Sequence, residues 1–215
     1  MTTQRHYSFF DKLCLGVDQV VRALTDQPRT SGNPYPAENV EDHPLTESQR
    51  LHAAGLMRVN HAGEICAQAL YHGQGVVSRD AKVQIKMEQA AIEEGDHLAW
   101  CKRRLVELNS HTSYLNPFWY AGSFCIGMAA GMIGDEWSLG FVAETERQVI
   151  KHLEKHKQLL PSHDVRSYQI LAQMEVDEDK HRREAIANGA RELPDVIKQI
   201  MSFTSKIMVN AAYRV

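Results

Sequence analysis

Glu94-Gly95-Asp96-His97 and Glu178-Asp179-Lys180-His181 are the two stretches on which the reading of this chain turns. Both have the form Glu-x-x-His. On an α-helix, residues three apart share a face, so each stretch offers a carboxylate and an imidazole to one point. Glu64 stands thirty residues before Glu94, and Glu146 thirty-two before Glu178. A lone glutamate followed by Glu-x-x-His therefore occurs twice, offset by 82 residues at the lone glutamates and 84 at the motifs. One such motif carries little weight, because Glu and His are common on solvated helix faces. Two of them, each with an upstream glutamate, agree in four independent placements.

One Glu from each of two helices and one Glu-x-x-His from each of two others is the ligand arithmetic of a di-metal carboxylate bundle of the ferritin-like kind. The expected metal ligands are Glu64, Glu94, His97, Glu146, Glu178 and His181, with the four glutamates as the catalytic carboxylates. Carboxylate and imidazole together suit iron or manganese better than a thiolate-seeking metal. Glu94 and Glu178 are the expected bridges, an assignment the sequence leaves open. Glu64 lies in the mostly uncharged run Val59 to Gln74, where a solvated helix face would carry more charge. Glu144 competes with Glu146 for the fourth carboxylate, but Glu146 fits the spacing of the first half better. Metal-bound imidazoles usually donate their second N–H to an acceptor, so Asp177 and Glu93 are expected to serve the histidines of the opposite helices. An ordinary exposed carboxylate is the equal alternative for both. His61, His152 and His156 read more readily as packed or surface histidines than as ligands.

The rest of the chain supplies helices to carry these residues. Thr46 followed by Gln49 is a capping-box pattern that starts a first long helix, expected to run to about Arg79. A second is expected from Ala81 to Leu108, a third from Phe118 to Leu159 and a fourth from Asp164 to Ala187, stopped by Asn188-Gly189. After Pro194, Ile197, Ile200, Met201, Ile207 and Met208 recur as one side of a final amphipathic helix. Phe10, Leu13, Val17, Val20, Val21 and Leu24 suggest another at the N-terminus, followed by a proline-rich linker from Pro28 to Pro44. Strand signals are nearly absent. The expectation is an all-α, ferritin-like four-helix bundle over residues 46–215, with residues 1–45 as an added N-terminal helix and linker.

Composition bounds the function. The chain has 215 residues, enough for one substantial core, with 24 Lys plus Arg against 27 Asp plus Glu and a net charge of -3. That balance offers no electrostatic footing for nucleic acid. Cys14, Cys66, Cys101 and Cys125 show no paired spacing, so neither a disulfide framework nor a zinc site is expected. Asp11, Lys12 and Asp18 interrupt the N-terminal apolar residues and leave no signal-peptide core.

The run Arg58-Val-Asn-His-Ala-Gly-Glu64-Ile-Cys-Ala-Gln-Ala-Leu-Tyr71-His-Gly73-Gln74 resembles the opening motif of the demethoxyubiquinone hydroxylase family. The resemblance continues through Glu93 to Leu98, Glu144-Thr-Glu146 and Glu178 to His181, and covers roughly residues 46–215. Ferritins share the metal arithmetic but not the run beginning at Arg58. The resemblance implies a non-haem di-iron monooxygenase that hydroxylates the ring of a polyprenyl methoxy-benzoquinol in ubiquinone biosynthesis. It implies two iron ions per chain, dioxygen as oxidant and NADH as electron source. The family's ligands fall on the same six residues that spacing selects. No dinucleotide-binding fingerprint is present, so nicotinamide binding is not expected to be of the Rossmann kind. An iron-storage or peroxide-detoxifying ferritin-like protein is the alternative, and a metal-free helical scaffold is a third class.

From Pro117 to Gly134 eighteen residues carry no charge, which is at the edge of a membrane span. Four glycines and the Asp135-Glu136 that follows argue instead for an apolar surface resting in one leaflet, shared with the C-terminal helix. The expected location is the cytoplasmic face of the cell membrane, held peripherally, as a homo-oligomer or within a ubiquinone-biosynthesis complex.

Overall fold

Thr46 opens the first bundle helix with the expected capping box: its side chain accepts from the Gln49 backbone N–H while Gln49 reaches back to the Thr46 N–H. The computed structural model describes residues 18–25 and 27–215. Helix α1 is described over residues 18–24, and the expected N-terminal helix before it, with Cys14, lies outside the described residues. Then follow α2 (Glu47–Val77), α3 (Ala81–Glu107), α4 (Asn116–Ile133), α5 (Asp135–Leu159), α6 (Val165–Ala187) and α7 (Asp195–Ala212). The described residues contain no strand. Asn188 caps α6, and Gly189 supplies the positive φ of 94° that turns the chain away.

Four helices, α2, α3, α5 and α6, form the bundle, with α2 beside α3 and α5 beside α6. Their apolar residues divide into two layers along its length. One holds Leu56, Met57, Trp100, Leu105, Leu153, Ile170 and Met174. The other holds Ala67, Tyr71, Val83, Met87, Leu139, Val142 and Ala185. On every helix the expected ligand falls between the residues of these two layers. The polar cluster is therefore enclosed at both ends by hydrocarbon.

The single helix expected from Phe118 to Leu159 is two helices. Gly134 separates them with φ 143°, a backbone geometry that side-chain-bearing residues rarely adopt. Asp135 fixes the corner: its carboxylate accepts from Ser78 Oγ at 2.9 Å and from the Asp80 N–H at 3.1 Å, tying it to the α2–α3 turn. As a result only α5 enters the bundle, while α4 lies against the outside of α2.

Glycines set that contact. A Cβ at Gly127 would overlap the Leu70 carbonyl, and one at Gly73 would overlap the Phe124 carbonyl. Helix α4 thus buries its small face and turns Phe118, Ile126, Met132 and Ile133 outward. No helix among the described residues is long and apolar enough to cross a membrane.

The linker from Pro28 to Pro44 is irregular apart from a turn at residues 36–39, but it is held. Arg104, 1% exposed, donates to Asp42 of the linker, to Asp164 at 2.9 Å and to Ser167 at 3.0 Å. Its guanidinium thereby joins α3, the start of α6 and the linker.

Gly127→Ala is expected to force α4 off α2 and to lower unfolding stability by about 1–3 kcal/mol, the usual cost of overpacking. Gly122→Ala, where a Cβ meets nothing within 4 Å, should instead stabilise α4 by about 0.4–1 kcal/mol. Urea unfolding of the two variants checks the pair.

Candidate metal centre

The six residues selected by spacing meet in the middle of the bundle, and all are nearly or wholly buried. Ligand atoms of Glu64, Glu94, His97 and Glu178 all lie within 4.8 Å of one another. Glu94 turns Oε2 toward His97 Nδ1 at 3.1 Å and Oε1 toward His181 Nδ1 at 3.2 Å. Glu178 does the same, with Oε1 3.1 Å from His97 Nδ1 and Oε2 3.4 Å from His181 Nδ1. Each of these two carboxylates spans both histidines, the disposition that a bridge between two ions requires. Glu64 Oε2 lies on the His97 side at 3.7 Å. Glu146 completes the set and accepts a hydrogen bond from the Tyr71 hydroxyl.

Glu144, the competing carboxylate, is drawn away from the cluster by Arg147 and Gln148. The second nitrogens of the histidines meet the acceptors named for them: His97 Nε2 lies 3.2 Å from Asp177, and His181 Nε2 lies 2.7 Å from Glu93. Each contact crosses between α3 and α6. Both place the Nδ1 atoms toward the centre. Of the other histidines, His156 Nδ1 lies 3.0 Å from Asn60 Oδ1, and the His152 ring packs 3.8 Å from that of His156. His61 is buried in α2. None of the three is among the residues that converge on the cluster. Cys66, Cys101 and Cys125 are free thiols, and Cys101 packs on Met174.

The donor set fits metal coordination. Buried Glu94 Oε1, Glu146 Oε2, both Glu178 oxygens and His181 Nδ1 have no hydrogen-bond partner. A buried polar atom left so costs about 1–3 kcal/mol, which coordination would relieve. Charge tells the same story. Burial raises Glu64 and Glu146 well above the usual carboxylate range. Burial pushes Glu94 and Glu178 the same way, but the facing His181 and His97 imidazoles outweigh it and hold both below that range. The histidines are raised in turn: burial opposes their charge, but facing carboxylates overcome it. Carboxyls and imidazoles crowded together out of water shift one another in this way, and a bound cation would take the place of their protons. At the edge, the bond from His181 holds Glu93 down to about 2.

Tyr71 is the residue that spacing arguments missed. It lies seven positions after Glu64, two helical turns along the same face, which was the available signal.

A second feature adjoins the cluster. Between α2, α4, α5 and α7 lies a cavity of about 330 Å³, walled by Leu70, Trp119, Ile126, Phe141, Met201 and Met208 and ending on Glu64. Helix α7 is therefore two-faced. Met201 and Met208, expected on one stripe with Ile200 and Ile207, line the cavity, whereas Ile200, Phe203 and Ile207 are more than half exposed.

Comparison with known proteins bears on this combination of cluster and cavity. Residues 51–212 match the family model described as ubiquinone biosynthesis protein COQ7. The chain belongs to that family. A relative from Polynucleobacter asymbioticus is 51% identical over 97% of this chain and 100% of its own length. Others from Acinetobacter baylyi and Nitrosococcus oceani are 52% and 48% identical over 97% of this chain, and over 99% and 98% of their own lengths. All three are named 3-demethoxyubiquinol 3-hydroxylase. Among solved structures, a bacterioferritin-related dodecameric thioferritin from Bacteroides fragilis superposes with a TM-score of 0.53. It is 16% identical and covers 72% of this chain and 89% of its own, a likeness that supports the ferritin-like fold alone.

Glu178→Ala is expected to abolish metal binding while circular dichroism keeps its helical signal, because the apolar layers hold α6 without the metal. Asp177→Asn should weaken metal affinity by about 10–100-fold, read by competition with a chelator. Metal uptake should release protons, so that apparent affinity rises with pH; titration in buffers of unlike ionisation enthalpy measures the number.

Proposed function

We propose that this chain is a 3-demethoxyubiquinol 3-hydroxylase, a monooxygenase that adds a hydroxyl group to the ring of a polyprenyl methoxy-benzoquinol. The cavity carries the reading. Its walls are apolar, it is large enough for a substituted ring, and it ends on a carboxylate of the metal cluster. The relatives' shared name supports the same conclusion. An iron-storage or peroxide-detoxifying role would use the same six ligands, but it has no need of such a cavity and is not favoured.

Glu64, Glu94, His97, Glu146, Glu178 and His181 would hold two iron ions, which supply the activation of dioxygen when bound. The chain's own residues do the rest. Asp177 and Glu93 fix the imidazole orientations, and Tyr71 fixes that of the Glu146 carboxylate. The cavity walls exclude water and bring the ring edge up to Glu64. His152 lines the same cavity, and its Nε2 has no hydrogen-bond partner. Burial lowers this histidine to about 4, so the ring is a neutral imidazole that can bond a quinol hydroxyl without a fixed charge. NADH is the source of the electrons, without a dinucleotide fold of the chain's own.

The chain meets its substrate at a membrane. Phe118 and Ile126 of α4, 73% and 45% exposed, flank one side of the cavity. Ile200, Phe203 and Ile207 of α7 form an exposed stripe on the other. Such paired faces suit peripheral docking in one leaflet, at the cytoplasmic side of the cell membrane, where a long-tailed quinol can slide from lipid into protein.

Deleting the gene should cause demethoxyubiquinone to accumulate, and the purified protein should carry about two irons per chain. An unchanged quinone profile would overturn the activity. Replacing Ile200 and Ile207 together by Asp removes roughly 1 kcal/mol of interfacial burial each. Vesicle binding should fall by at least about 30-fold with iron content intact. Turnover of a long-tailed quinol in vesicles should fall much further than that of a short-tailed analogue in solution. Unchanged vesicle flotation would place the docking face elsewhere.

A further inference from the structure

The two ends of the cluster face different surroundings. Glu64 closes the large cavity, which opens between α2 and α5 beneath α4 and α7. A second, much smaller pocket of about 40 Å³ sits in the seam between α3 and α6. Its lining includes His181 and Tyr71, and Tyr71 is bonded to Glu146, so it adjoins the ligands that Glu64 and the large cavity do not. Met87 and Ala185 give it apolar walls, and Ala90 and Glu184 stand toward solvent.

Size decides what this pocket can take. A water molecule needs about 10–15 Å³ of such space, so there is room for two or three small molecules and none for a quinol ring. Geometry decides why it matters. A quinol seated in the large cavity covers the Glu64 end of the cluster, and any second substrate must then arrive from elsewhere. Apolar walls suit an apolar diatomic gas, whereas the hydroxyl of Tyr71 already has a partner in Glu146 and makes the floor less inviting to water.

We propose that the α3–α6 pocket is a separate entry port for dioxygen, which lets the gas reach the Glu146–His181 end of the cluster while the quinol occupies the other. The port rests on the hydroxylase reading for the identity of its gas, and on the geometry alone for its existence. Ala90 is its gate, since that position is half-buried at the mouth and outside the ligand set.

Two measurements test it. Crystals of the iron-loaded protein under xenon pressure should show xenon in this pocket, and Ala90→Phe should exclude it. In steady state, Ala90→Phe and the milder Ala90→Val should raise the KM for dioxygen in graded fashion, by about five-fold or more for Phe. The KM for quinol at saturating dioxygen and the iron content should stay as in the parent. With the port closed, gas and quinol must share one entrance, so high quinol should become inhibitory and competitive against dioxygen, which it is not in the parent. Gly122→Leu, projecting into the large cavity, should raise the quinol KM only. Absence of xenon from the pocket in the parent protein overturns the port, as does an unchanged dioxygen KM in a folded Ala90→Phe protein. If the parent hydroxylates no quinol but binds xenon here, the hydroxylase reading fails and the gas pocket stands.

Discussion

Four carboxyl groups and two imidazoles are buried together in the middle of this bundle, and most of its structure answers that fact. Ionised carboxylates in a hydrocarbon interior are costly unless their charge is matched nearby. Here the matching is internal. The two histidines are raised by the carboxylates that face them, while burial raises Glu64 and Glu146. The apolar layers on either side exclude the solvent that would otherwise screen the group. They also hold the four helices in register on either side of the cluster.

The ligand set is nearly symmetric, and its surroundings are not. Each half of the chain supplies a glutamate helix and a Glu-x-x-His helix, and the bridging carboxylates treat the two histidines alike. The symmetry ends at Gly134, where the chain leaves the helix path and α4 is laid outside α2. That insertion, together with α7, builds a roof over the Glu64 side and encloses the large cavity. The Glu146–His181 side has no such roof and keeps only a narrow crease. One end of an otherwise even cluster thereby adjoins a large, mostly apolar cavity.

The sequence was most legible where chemistry is local. Ligand spacing within a helix turn could be read directly, because a helix fixes which residues share a face, whereas Asp177 and Glu93 could be read only as one of two equal alternatives. The Thr46 capping box and the Asn188-Gly189 stop were legible for the same reason. The break at Gly134 was not. Glycine inside an apolar run is compatible with a continuing helix, and the corner depends on Asp135 finding the α2–α3 turn far away in sequence. The two faces of α7 were also hidden, since periodicity groups apolar residues without saying which of them meets the bundle. Tyr71 was not singled out, because nothing in its spacing separates a tyrosine that bonds a buried carboxylate from one that packs in the core.

The linker before α2 illustrates a harder kind of illegibility. Its prolines mark it as irregular, and irregular segments are easily taken for appendages. Yet Ser31 and the Gly32 N–H both bond the Asp96 carboxylate, and a side chain at Gly95 would overlap the Arg29 carbonyl. Gly95 and Asp96 are the two interior residues of the first Glu-x-x-His motif. The linker therefore grips the helix turn that carries Glu94 and His97, from the side facing away from the cluster. In the second motif the interior Asp179 pairs instead with Arg182 and Arg183 of its own helix. The first motif needs glycine at position 95 because the strap lies there, and the strap in turn restrains the turn that positions Glu94. Residues 29–32 thus support the site as directly as any residue of the bundle core.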